Sequence, residues 1–138
     1  GWGDYPNPGG YSNAKLHAPF ESDLVRSSVT EAAVAAKVSA PRRFEGPIEQ
    51  RTADYLAATS RLVVPFYEME KAGGMAPGDP RGPALATEQL AAGASELRDL
   101  IVLAWEASLN MEVGWKPVPV AAVIAGKIDP FPALMGID

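Results

Sequence analysis

The chain has no cysteine and a single histidine among its 138 residues. The missing cysteines exclude disulfides, and they leave the compartment open because many secreted proteins also lack them. With one histidine and no thiolate, the chain cannot complete an ordinary nitrogen/sulfur metal site by itself, and no Ser-His-Asp assembly can be built with confidence. Basic residues are in deficit: 12 Lys and Arg stand against 17 Asp and Glu, a net charge of −5. That balance argues against gripping duplex nucleic acid through a basic surface, which needs clustered cations. No apolar run approaches the roughly 20 residues of a membrane-spanning helix. No internal repeat is present, and no segment alternates as a strand does. Gly9-Gly10 matches no phosphate-cradling pattern. The opening Gly1-Trp2-Gly3-Asp4-Tyr5-Pro6 has neither the basic start nor the apolar run of a signal peptide. It also lacks an initiator Met, so the chain reads as beginning inside a longer protein.

What is present is enough for one helical unit. A chain of this length buries about 68–70% of its unfolded surface, and 47% of its residues are hydrophobic. Residues 1–14 are rich in Gly and Pro, with Trp2, Tyr5 and Tyr11 between them, and read as an irregular loop. Apolar residues then recur with helical spacing over residues 16–37, 48–72 and 86–110. A last short helix, opened by Pro119, is expected over residues 118–126. Pro65 should kink the second helix, Gly73-Gly74 should end it, and a Gly/Pro-rich loop follows over residues 73–83. The fold expected is therefore all-α: three long helices, a short C-terminal helix and an irregular N-terminal loop.

The chemistry concentrates in Lys15-Leu16-His17-Ala18-Pro19-Phe20-Glu21. If the stretch is helical, His17 and Glu21 lie one turn apart on one face. An imidazole and a carboxylate so placed can share a metal ion. At 100° per residue they fall in one arc with Phe20, Leu24 and Ala32, which predicts that both are mostly buried. A buried carboxylate needs a partner, and a metal is one. Pro19 is tolerated only in a first turn, which places the helix start near His17. The plain alternative is a hydrogen-bonded polar pair at a helix start. Trp105 and Trp115 read as core or interface anchors, and Arg42-Arg43 as a solvated loop pair.

Several stretches together resemble one family. Trp2-Gly3-Asp4-Tyr5-Pro6-Asn7-Pro8, Tyr11 and His17-Ala18-Pro19-Phe20-Glu21 are similar to the later part of the zinc-dependent nucleases and phosphatidylcholine-hydrolysing phospholipases C. The segment from Leu90-Ala91-Ala92-Gly93-Ala94 through Leu97, Ala104-Trp105 and Ser108 resembles their last long helix. The resemblance implies an all-α fold with a cluster of three zinc ions, in which His17 and Glu21 match the final histidine and acidic ligand. The remaining ligands would lie upstream, on an N-terminal half of the same protein or on a separate chain. Trp2 belongs to the loop and does not match the family's N-terminal tryptophan ligand. The implied activity is hydrolysis of a phosphodiester, in nucleic acid or phospholipid, by a secreted or periplasmic enzyme. His17 and Glu21 would fill part of one zinc shell and would not act as general acid or base. The competing expectation is a non-catalytic helical subunit that keeps the scaffold without the metal. A partner that carries the missing ligands, an N-terminal half above all, should cover the face from His17 to Leu24.

Overall fold

Threonine and proline decide where the first two expected helices break. The computed structural model describes residues 2, 3 and 5–136, and most of them are helical. The first segment opens as a π-helix, π1 (Ala18–Leu24), and continues as α1 (Val25–Ser28). It stops where Val29 turns to extended backbone. Thr30 then caps α2 (Glu31–Lys37), its side chain accepting a hydrogen bond from Ala33 N at 3.2 Å, the usual way of satisfying a free N–H in a first turn. The expected single helix over residues 16–37 is thus interrupted at Val29-Thr30.

The second expected helix is also divided, into α3 (Ile48–Ser60) and α4 (Val63–Lys71). Pro65 is the cause. In a continuous helix its ring would clash with the carbonyl of Arg61, four residues earlier, and it has no N–H to offer that carbonyl. The break falls at Arg61-Leu62, and Pro65 becomes a first-turn residue of α4. The third helix, α5 (Arg81–Ser108), starts five residues before the expected boundary. Beyond it, β1 (Glu112–Val113) and β2 (Val118–Pro119) pair antiparallel, Val113 opposite Val118, a hairpin too short to show as alternation in the sequence. Pro119 closes β2 and caps α6 (Val120–Ile124), and Asp129 caps α7 (Pro130–Met135) through Phe131 N at 3.0 Å.

The chain divides into two compact units, one of Gly1–Ala40 with Phe44–Ser95 and one of Pro41–Arg43 with Glu96–Asp138. In the first, Leu24, Ala86 and Ala91 are buried. Gly82 lets the chain close there: a Cβ at this position would lie 2.7 Å from both Gly74 O and Leu24 Cδ1. Thr87, Ala91 and Ser95 form the buried stripe of α5 in this unit. Ser95 Oγ accepts from Ser39 N at 3.0 Å and donates to Ala91 O. Lys37 on α2 reaches Glu88 on α5 at 2.9 Å.

The second unit buries Ala133, whose carbonyl accepts from Trp115 N at 2.8 Å. Arg43 meets Glu106 at 3.5 Å. On α5, Leu97, Ile101 and Trp105 are 60%, 59% and 66% exposed, although their spacing marks them as a core stripe.

Candidate functional site

The N-terminal loop is folded back on itself before it meets the helices. Asn7 holds both ends of a turn, donating from Nδ2 to Tyr11 O at 2.9 Å while its Oδ1 accepts from Tyr11 N at 2.8 Å. Gly10 supplies the left-handed conformation this turn needs, at φ +61°. The loop is then clamped to α4. Tyr11 OH donates to Glu68 Oε1 at 2.5 Å, and Lys71 Nζ donates to Gly9 O at 2.5 Å. The hydrogen bond to Glu68, with partial burial and the carboxylate's charge, raises the Tyr11 pKa above its ordinary value. Trp2, which donates its indole N–H to Pro6 O, meets Tyr11 in a tilted contact at 4.7 Å and Tyr67 edge to face at 5.0 Å.

The aromatic row runs on from Tyr67 to Phe66 at 5.4 Å, and from Phe66 to Phe20 at 4.9 Å, edge to face. Phe20 lies in π1, between the two candidate ligands. The loop, α4 and the start of π1 are therefore tied together by ring contacts of favourable geometry.

His17 and Glu21 meet at this end of π1. Nδ1 of His17 is 3.2 Å from Oε1 of Glu21. The spacing expectation holds, since the pair does share one face. The burial expectation fails: their side chains are 81% and 59% exposed. The reason is the helix type. A π-helix closes i→i+5 bonds, as Val25 N to Phe20 O does here, and so advances less than 100° per residue. Over the three residues from Glu21 to Leu24 the deficit accumulates, so Leu24 turns inward while Glu21 faces solvent.

Two donor atoms each about 2.0–2.1 Å from a tetrahedral zinc ion stand about 3.3 Å apart. The separation of His17 Nδ1 and Glu21 Oε1 fits that spacing, so the pair can serve as two ligands of one ion. It is also the separation of an ordinary ion pair. Among the described residues no group of three or more His, Asp or Glu is arranged to hold a metal.

A second feature of this unit leaves little trace in the sequence. A groove of about 440 Å³ runs beside π1 and α1, lined by Pro19, Asp23, Ser27 and Ser28 on one side and by Met75 and Asp79 on the other. Asp79 is committed to capping α5. Its Oδ1 accepts from Arg81 N at 2.9 Å and from Arg81 Nε at 3.0 Å, and its Oδ2 from Arg81 Nη2 at 2.7 Å. The Arg81 side chain, then its backbone N–H, holds the Asp79 carboxyl down at about 2. Asp79-Pro80 directly before a helical run was the available signal. Of the other singled-out residues, Arg43 pairs with Glu106, and Trp105 and Trp115 are exposed at 66% and 83%.

No helix among the described residues is long and apolar enough to cross a membrane. No model of a known protein family matches the chain, and neither does any curated protein or solved structure.

Proposed function

We propose that His17 and Glu21 are two ligands of a zinc site completed by other polypeptide, and that the whole is a phosphodiester hydrolase of the nuclease or phospholipase C type, secreted or periplasmic. The observation that carries this reading is the 3.2 Å separation of Nδ1 and Oε1 on an exposed face. It has the spacing of two ligands on one ion and leaves room for further ligands from outside. The resemblance of the loop, the His-x-x-x-Glu stretch and the late helix supplies the reaction class.

In this reading the chain binds and orients. The imidazole offers Nδ1 as a neutral donor, and the carboxylate offsets part of the ion's charge. The aromatic row from Trp2 to Phe20 fixes the turn on which both sit. When bound, zinc lowers the pKa of a coordinated water and polarises a phosphoryl oxygen. The isolated chain, with two of about four ligands, is expected to bind zinc weakly and to show little phosphodiesterase activity.

The single histidine makes the test direct. Zinc is titrated into the full chain while the imidazole resonances of His17 are followed by NMR. The expected result is a zinc-dependent shift that Glu21→Gln weakens several-fold and His17→Ala abolishes. An imidazole that ignores millimolar zinc, or responds identically in Glu21→Gln, overturns the proposal. A second reading, a helical subunit without a metal, is favoured by one observation: imidazole and carboxylate already meet as an i,i+4 pair at 3.2 Å. That reading predicts no zinc response and an unchanged fold in both variants.

A further inference from the structure

The chain offers 12 Lys and Arg to an endopeptidase that cuts after basic residues, and the fold protects most of them. Arg26, Lys37, Arg51, Lys71, Arg81 and Arg98 lie within helices, which must open locally before a protease can take them as extended chain. Arg61 keeps helical backbone at φ −64°, ψ −18°, and its N–H bonds Ala57 O. Lys15 directly precedes Leu16, whose carbonyl accepts from Phe20 N at 3.0 Å. Lys116 is followed by Pro117, whose ring leaves no N–H on the bond to be cut. Lys127 is held in a turn, its N–H donating to Ala122 O at 2.9 Å. Arg42 and Arg43 have no such protection.

Residues 38–47 form neither helix nor strand. Among the described residues, no backbone hydrogen bond holds residues 40–46. Both arginines are exposed. Arg42 has no partner among the described residues. Arg43 meets Glu106 at 3.5 Å with its own side chain 88% exposed, a surface pair that gives way at little cost. The two ends of the segment are fixed. Ser39 N is bonded to Ser95 Oγ at 3.0 Å, and the Arg51 guanidinium lies over the Phe44 ring at 5.6 Å. A protease receives its substrate as an added strand, through main-chain N–H and C=O groups. Here those groups are free of the fold, and exposed loops of this kind are where nicking concentrates.

We propose that Arg42-Arg43 is a processing site, at which an endopeptidase specific for basic residues nicks the chain without parting the two pieces. Hydrolysis after Arg43 adds one water across its bond to Phe44. The water oxygen joins the Arg43 carbonyl carbon, giving a carboxylate, and the nitrogen leaves with the protons as the Phe44 ammonium. No other reactant is consumed. The cut divides residues 1–43 from residues 44–138, yet contacts within the first unit still join them. Phe20 meets Phe66 at 4.9 Å and Trp2 meets Tyr67 at 5.0 Å. Tyr11 OH donates to Glu68, and Lys37 Nζ donates to Glu88 at 2.9 Å. The product is a two-chain form of the same fold, with His17 and Glu21 on the shorter chain. The proposal stands independently of the zinc site.

The test is limited digestion of the full, folded chain with trypsin as the probe, read by intact mass. The first fragments should end at Arg42 or Arg43 and appear at least tenfold faster than those from any other Lys or Arg. A double variant, Arg42→Gln with Arg43→Gln, should slow the first cut at least tenfold with unchanged circular dichroism. Nicked protein should elute from native size-exclusion chromatography as one species that contains both pieces, and the pieces should part only in denaturant. A first cut at any other residue overturns the site, as does a double variant nicked at the wild-type rate. Pieces that separate under native conditions overturn the two-chain form. Attack at many bonds at one rate overturns both, since the chain is then opening as a whole before it is cut.

Discussion

Phe20 is the residue through which the scaffold reaches the candidate ligands, and its removal has a calculable cost. The ring is half-buried and packs edge to face on Phe66 at 4.9 Å, 78° between planes. Truncating a fully buried Phe to Ala costs about 3–5 kcal/mol. Half-burial reduces that to about 1.5–2.5 kcal/mol, and the lost aromatic pair adds about 0.5–1.5 kcal/mol. Phe20→Ala should therefore destabilise the chain by about 2–4 kcal/mol. With a urea m-value of about 1–3 kcal/mol/M, the unfolding midpoint should fall by about 1 M or more. Phe20→Leu keeps most of the apolar area and should lose about half as much. A double-mutant cycle with Phe66→Ala should return a coupling of about 0.5–1.5 kcal/mol. The same variants should blur the zinc response of His17, because the turn carrying the pair loses its anchor. A loss under about 0.5 kcal/mol in Phe20→Ala, or no coupling to Phe66, refutes the view that the aromatic row fixes π1.

Gly82→Ala should destabilise by about 1–3 kcal/mol despite its better helix propensity, because the new Cβ meets Gly74 O and Leu24 Cδ1 at 2.7 Å; denaturant melts check this. Thr30→Ala removes the cap of α2 and should cost about 1 kcal/mol, again read from the urea midpoint. The Asp79 carboxyl is held below its ordinary 3.8, at about 2, so its stabilising contribution is complete above about pH 4 and is lost as pH falls through about 2. Wild type and Asp79→Asn should accordingly converge in thermal melts over that acid window. Tyr11 is shifted the other way: its clamp on Glu68 is intact below the ordinary pKa of 10.0 and is lost as pH rises through the higher folded value. Tyrosine absorbance titration of wild type against Tyr11→Phe should show the late-ionising group disappear.

The helical class was readable because the apolar residues keep a helical period over long stretches, and α5 emerged within a few residues of its expected limits. The interruptions were harder. Pro65 was visible, but its steric effect acts on the carbonyl four residues earlier, so the break lies at Arg61-Leu62. Thr30 had the chemistry of a cap and was hidden by continuous alanine periodicity around it. At the candidate site the sequence placed His17 beside Glu21 correctly and turned both the wrong way, because a 100° winding was applied to a segment that winds more slowly. The stripe of α5 shows a different limit. Periodicity says that Leu97, Ile101 and Trp105 share a face, but it does not say what covers that face.

The slow winding of π1 has a consequence for how this site can change over evolutionary time. A π-helical turn is the product of one additional residue accommodated within a helix. Deleting one residue between His17 and Leu24, Ala18 for example, would return the segment to ordinary winding while Leu24 kept its buried seat. The return to ordinary winding would offset the lost residue, so His17 would keep its place around the axis and remain a neighbour of Glu21 at three residues' spacing. Glu21 would turn towards the buried side that Leu24 occupies. A single-codon deletion could thus draw the carboxylate inward, and a single-codon insertion could turn it out to solvent, with neither side chain substituted. Relatives of this chain that differ in length by one residue at this point would share its scaffold and differ in how far the carboxylate faces solvent.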